Sequence, residues 1–161
     1  MEFPEPQSEH KWLHKLVGEW RYEMDAVMEP GQPPQKFTGT ENVRKLGDLW
    51  VLCEGKGDTP GGTAESLMTL GYDIGEKRFV GTFIASMMSF IWIYDTGMLD
   101  PTGKMLMLDC DGPSMKGDGS LVRYRDIIEF KSDDHRLLRA QVRNDDGEWE
   151  EFMESSYRRV K

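Results

Sequence analysis

Apolar and polar residues alternate one for one over much of this chain. In Trp20-Arg21-Tyr22-Glu23-Met24-Asp25-Ala26 the apolar side chains take even positions and the charged ones odd positions. That pattern fits a strand with one face in a core and the other in water. Further strand-like segments, each bounded by turns, follow at Lys36–Leu46, Leu49–Gly57, Ser66–Ile74, Arg78–Met88, Phe90–Leu99, Lys104–Gly112, Leu121–Lys131, Arg136–Arg143 and Glu148–Arg158. The joins carry turn chemistry: Gly47-Asp48, Gly75-Glu76-Lys77, Asp100-Pro101-Thr102-Gly103, Ser132-Asp133-Asp134 and Asn144-Asp145-Asp146-Gly147. Before the first strand, Trp12, Leu13, Leu16 and Val17 share one side of a helix over Glu9–Val17, with Ser8 as N-cap and Gly18 as stop.

Short links make successive strands antiparallel neighbours. An open meander of about ten strands would leave two long edges, so closure is favoured. The expected fold is all-β: an antiparallel meander barrel of about ten strands, with the short N-terminal helix capping one end. Residues 1–7 read as a flexible tail and 8–161 as a single barrel domain.

The pleat then sorts the faces. Trp20, Tyr22, Met24 and Ala26 point inward, as do Leu49, Val51, Cys53 and Gly55. Val122, Tyr124, Asp126, Ile128 and Phe130 follow, then Trp149, Met153, Ser155 and Tyr157. Phe83-Ile84-Ala85 and Phe90-Ile91-Trp92-Ile93-Tyr94 are apolar on both faces and ask for a second cover, either the helix or another copy of the chain.

Composition narrows the partners. A net charge of −9, with no basic cluster to offset it, disfavours nucleic acid and anionic membrane surfaces. The longest apolar stretch, Phe83 to Tyr94, is shorter than the roughly 20 residues a membrane-spanning helix needs. The acidic, Pro-bearing start is unlike a signal peptide, so a cytoplasmic location is expected. Cys53 and Cys110 lack metal spacing and read as buried free thiols. The 11 methionines suit either an irregular core or a surface that accepts varied apolar partners.

Catalytic motifs are missing. His10 and His14 stand four apart on the helix, a chelating spacing, but no third ligand accompanies them and they read as solvated. Asp109-Cys110-Asp111-Gly112 begins like a calcium loop that Pro113-Ser114 does not continue. No cofactor and no metal are expected. Asp126 stands out: an inward carboxylate among apolar neighbours must find a partner or a proton. Asp73 and Asp109, near turns, raise the same question less sharply.

With the strands laid out, the chain resembles the uncharacterised bacterial family DUF1579. The stretches that carry the resemblance are Trp12-Leu13, Leu16-Val17-Gly18-Glu19-Trp20, Gly71-Tyr72-Asp73, Phe79-Val80-Gly81-Thr82-Phe83-Ile84, Arg123 to Glu129 and Glu154 to Arg159. The resemblance implies a lipocalin-like (calycin) barrel. There the Trp of a Gly-x-Trp start, here Gly18-x-Trp20, packs under an arginine of the last strand. Arg159 is the expected partner, with Arg158 second. Phe83-Ile84-Ala85 stands where the family often has Trp-Ile-Asp. The late-strand histidine of haem-binding, nitrobindin-like cousins is absent, which argues against haem.

Three functions remain in view. The first is a binding module holding a small apolar or amphipathic ligand between Tyr22, Met24, Trp92, Tyr94, Met107, Tyr124, Asp126, Met153 and Tyr157. The second is a filled barrel that self-associates, as a homodimer through the Phe83–Tyr94 region. The third is an enzyme using Asp126.

Overall fold

The computed structural model describes residues 1–161. One helix, α1 (Ser8–His14), precedes eleven strands: β1 (Gly18–Ala26), β2 (Gln35–Leu46), β3 (Trp50–Thr59), β4 (Gly62–Asp73), β5 (Arg78–Ala85), β6 (Trp92–Tyr94), β7 (Thr96–Leu99), β8 (Met105–Pro113), β9 (Leu121–Ser132), β10 (His135–Arg143) and β11 (Trp149–Arg159). Hydrogen bonds run without a crossover from β6 through β5, β4, β3, β2, β1, β11, β10, β9 and β8 to β7. The result is a nearly closed antiparallel barrel.

There are eleven strands rather than ten because the Phe90–Leu99 segment divides at Asp95. Its first half pairs with β5 (Gly81 with Tyr94) and its second with β8 (Gly97 with Leu108). A single stretch of chain therefore bridges the two ends of the sheet. Tyr94 and Gly97 both face inward, with Asp95 and Thr96 between them, so the alternation skips one residue, as at a bulge. The Asp95 N–H donates to the Asp109 carbonyl at 3.0 Å and carries the ladder across the gap. Outside, Arg123 grips the Asp95 carboxylate with two nitrogens, at 2.7 and 2.5 Å. Gly97 is needed here for close approach: a Cβ on it would overlap the Phe79 backbone of β5.

The helix is shorter than expected and starts one residue earlier, with Gln7 as N-cap. His10 is buried rather than solvated. Its Nδ1 accepts the Gln7 backbone N–H at 2.9 Å, and its Nε2 faces the Tyr72 carbonyl at 3.2 Å. The Trp12 indole N–H donates to the Gly103 carbonyl at 2.7 Å and His14 Nε2 meets the Asp48 carbonyl at 2.9 Å. These bonds tie α1 over the end of the barrel where the β2–β3, β4–β5 and β7–β8 turns gather. Trp12, Leu13 and Leu16 lie beneath it, packed with Trp20, Val43, Val51, Leu70, Phe79, Leu106, Ile128 and Phe130. Full burial of each large apolar side chain contributes about 1.5–3 kcal/mol, enough to hold a helix too short to be stable alone.

A second bulge corrects the reading of β11. Ala140 pairs with Met153 but Gln141 pairs with Glu151, so Phe152 is an extra residue. Phe152 joins Met153 on the inside, and the parity beyond it is reversed. Trp149, expected inside, therefore lies on the outer wall with the Arg125 guanidinium 4.3 Å above its ring. Cys53 and Cys110 are buried free thiols at inward positions.

Candidate ligand site in the barrel

The two ends of the barrel differ. At the helix end most inward side chains are sealed: Leu16, Trp20, Val51, Leu70 and Leu106 are all 0% exposed, while Tyr72 and Leu99 are half-buried. At the other end, where no helix lies, Met24, Phe37, Phe83, Trp92, Val122, Val142, Phe152 and Met153 all face inward yet are only half-buried. They form an apolar mouth framed by the β1–β2, β3–β4, β5–β6, β8–β9 and β10–β11 turns.

Three rings narrow this mouth. Trp92 packs edge-on to Tyr124 with centroids 5.0 Å apart, and Tyr124 edge-on to Phe152 at 5.9 Å. Such pairs contribute about 0.5–1.5 kcal/mol beyond simple burial. Trp92 can lie flat against the wall because position 112 is glycine; a Cβ there would overlap the indole. The Tyr124 hydroxyl donates to the Pro113 carbonyl at 2.5 Å, which fixes the ring to the start of the β8–β9 turn.

Below these rings sits Asp126, one pleat deeper on β9. Its Oδ2 accepts the Tyr94 hydroxyl at 2.5 Å. Burial raises its pKa from 3.8 to about 6; the Tyr94 hydrogen bond opposes that rise and the Asp109 charge adds to it. Burial pushes the Tyr94 hydroxyl well above its usual range, and the Asp126 charge adds to this. Burial likewise pushes the Cys110 thiol up to about 12, and that of Cys53 well up. Neither is a ready nucleophile. Asp126 nevertheless keeps partial access to the barrel space, as a half-buried residue. Asp109, by contrast, points outward into Arg125, with contacts of 2.7 and 2.9 Å. Asp73 accepts the Glu76 N–H within its turn at 3.0 Å.

The floor holds a second polar group, which sequence reasoning missed. Arg136, 2% exposed, points inward from β10 and pairs with Glu41 of β2. Its guanidinium lies 3.9 Å over the Tyr157 ring and 4.6 Å over Trp20. Tyr22 packs beside Tyr157, centroids 5.2 Å apart. Arg159 covers the other side of Trp20 at 4.2 Å, and donates to the carbonyls of Val17 (2.6 Å) and Lys15 (2.9 Å), the last turn before β1. The sequence did carry a signal for Arg136, since it shares even parity with Leu138, Ala140 and Val142.

Of the nine side chains expected to line the interior, eight face it. Met24, Trp92, Tyr124 and Met153 stand at the mouth, Tyr94 and Asp126 below them, and Tyr22 and Tyr157 toward the floor. Met107 does not. It pairs with Ile127 and Met98 on the outer wall, between inward Leu106 and Leu108.

This geometry defines a nearly closed antiparallel barrel covered at one end by a helix and lined at the other by half-buried apolar side chains. The chain belongs to the DUF1579 family, described as proteins of unknown function, whose model matches residues 5–159. Among solved structures, Rv2717c from M. tuberculosis is similar in fold, with a TM-score of 0.68 at 12% identity, covering 98% of this chain and 100% of that one. A de novo designed fluorescence-activating β-barrel aligns with a TM-score of 0.48 at 12% identity, covering 91% and 94%. No curated protein matches the chain. No helix is long and apolar enough to cross a membrane.

Proposed function

We propose that this protein is a binding module of lipocalin-like type that takes up a small apolar or amphipathic molecule through the mouth. One observation carries the reading: the large inward apolar side chains at this end are only half-buried, while most of their counterparts at the helix end are sealed. Exposed apolar surface inside a concave wall is the usual lining of a small-molecule site. Titration with Nile red, a neutral apolar fluorophore, tests it. The expected result is saturable binding at one site, weakened at least about tenfold in Ala64→Trp, which places a bulky ring on the inward face of β4 near the β3–β4 turn, beside β5. No saturable binding, or binding unchanged by that substitution, would overturn the reading.

A second reading rests on a different surface. Ile84 (44% exposed), Met87 (61%), Ile91 (50%) and Ile93 (58%) form an apolar patch on the outer side of β5, β6 and their connection. Contiguous exposed apolar surface of this kind marks interaction sites, so self-association as a homodimer through Phe83–Tyr94 is the alternative. Sedimentation equilibrium with the wild type and Ile84→Asp/Ile93→Asp separates the two readings. A dimer lost in the double variant supports the alternative, and a monomer at high concentration removes it.

A further inference from the structure

The barrel interior contains three charged side chains at mid-depth and below. Arg136 and Glu41 neutralise each other. Asp126 is left without a cation. The arginines of the neighbouring wall are all committed on its outer side: Arg123 to Asp95, Arg125 to Asp109, and Arg139 to Glu129 at 3.1 Å. The sole hydrogen bond to the carboxyl comes from Tyr94 and occupies Oδ2; Oδ1 has no protein donor. An enclosed carboxylate with one oxygen free is costly unless a positive charge or a proton meets it.

Its position suits a ligand entering from the mouth. Asp126 follows Val122 and Tyr124 on the same face of β9, four residues below the rim, or about 13 Å along the strand at the usual rise. An apolar chain of medium length would span that distance against Trp92, Tyr124 and Phe152.

We propose that the barrel selects amphipathic amines, whose apolar body fills the mouth and whose ammonium group meets the free oxygen of Asp126 beside Tyr94. This rests on the mouth being a binding site. An anionic head would be repelled, and an alcohol would gain a hydrogen bond without charge. The groups facing Asp126 do not obscure the pH response. Tyr94 on β6, Cys110 on β8 and Cys53 on β3 all stay protonated near neutrality. Asp109, on the outer side of β8, is ion-paired with Arg125. The ammonium itself stays charged throughout.

Displacement of Nile red by decylamine, decanol and decanoate tests the assignment in wild type and Asp126→Asn, at pH near 7.5 and near 5. In the wild type at the higher pH, decylamine should bind about tenfold or more tighter than decanol, and decanoate weakest, as expected for a charge-assisted hydrogen bond. The amine advantage should shrink at the lower pH, where Asp126 takes up its proton. It should vanish in Asp126→Asn, where decylamine should bind no tighter than decanol while circular dichroism shows the fold retained. Equal binding of amine and alcohol to the wild type, a preference for decanoate, or an amine advantage that survives in Asp126→Asn would overturn the assignment while leaving the mouth as an apolar site. Failure of both Nile red and decanol to bind the wild type would overturn the site and the assignment together.

Discussion

The two halves of this barrel use the same strands to different ends. At the helix end, α1 and the turn after it add Trp12, Leu13 and Leu16 to the core, and the ring of Trp20 is held between two guanidinium groups, Arg136 and Arg159. At the mouth the same β1 presents Met24, the same β9 presents Val122 and the same β11 presents Phe152, all half-buried. Nothing in strand chemistry separates the halves; the presence or absence of a cover does. A barrel carries its stability where it is covered and keeps adaptable apolar surface where it is not. The floor should therefore be stiff and sensitive to substitution, and the mouth tolerant.

The sharpest way to break that contrast is to truncate an aromatic at each end. Trp20→Ala removes a 0%-exposed indole, its N–H bond to the Leu16 carbonyl at 2.8 Å, and the platform for both arginines. Truncation of a buried aromatic costs about 3–5 kcal/mol. Phe152→Ala leaves a position already open to solvent and should cost about 1–2 kcal/mol, since the lost transfer energy is partial and no closed cavity forms. Urea unfolding of both variants gives the comparison directly. Equal losses would mean that the mouth is packed as tightly as the floor.

The Arg136–Glu41 pair supplies the next test. Removing one partner of a buried pair strands the other charge, so Glu41→Gln should cost about 3 kcal/mol. Replacing both, as Arg136→Met with Glu41→Leu, should recover most of that loss, because a well-packed apolar pair has no charge to desolvate. If the double variant is no better than the single one, the guanidinium's stacking on Trp20 and Tyr157 matters more than its charge partner.

The features legible in the sequence are those where polar residues mark one face. β1 alternates cleanly and its inward set is correctly assigned. On β9, Arg123, Arg125 and Glu129 mark the outside, so inward Asp126 could be read. Met105-Leu106-Met107-Leu108 carries no such marker: both faces there are apolar, and nothing local tells that Met107 turns outward. Trp149 departs from its expected face for another reason: the bulge at Phe152 shifts parity, and no local signal announces it. The skip at Asp95 and Thr96 likewise divides one expected strand into two. Arg136 is hard to read as an inward residue because its compensation, Glu41 and two aromatic rings, comes from distant parts of the chain. Arg159 over Trp20 followed from the family resemblance rather than from periodicity.

Asp126 gives a pH-dependent difference of intermediate size. Its native pKa of about 6 lies above the ordinary 3.8, so between these values the native state binds more protons than the unfolded state. Stability then falls as pH rises through that window. The penalty is absent below the ordinary value and complete above about 6. Asp95, whose pKa is lowered chiefly by its hydrogen bond from Arg123, acts in the opposite sense and at lower pH. Comparing wild type with Asp126→Asn isolates the one group. The variant should be more stable by about 1–3 kcal/mol near neutrality, with the difference closing toward pH 4. A difference independent of pH would show that Asp126 does not titrate in the barrel.

The smallest expected effect checks the inside–outside assignment itself. Met107 lies on the outer wall beside Met98, which is 54% exposed, so its side chain touches neither the floor nor the mouth. Met107→Gln keeps the length and removes the apolar character, and a surface change of this kind alters stability by about 0.5 kcal/mol or less. Nile red affinity should be unchanged. Met24→Gln places the same chemistry at the rim and should weaken Nile red binding several-fold while costing little stability, because its amide can still reach water. If Met107→Gln weakened binding as much as Met24→Gln, β8 would be turned over relative to the register described, and Leu106 and Leu108 would be the outer residues.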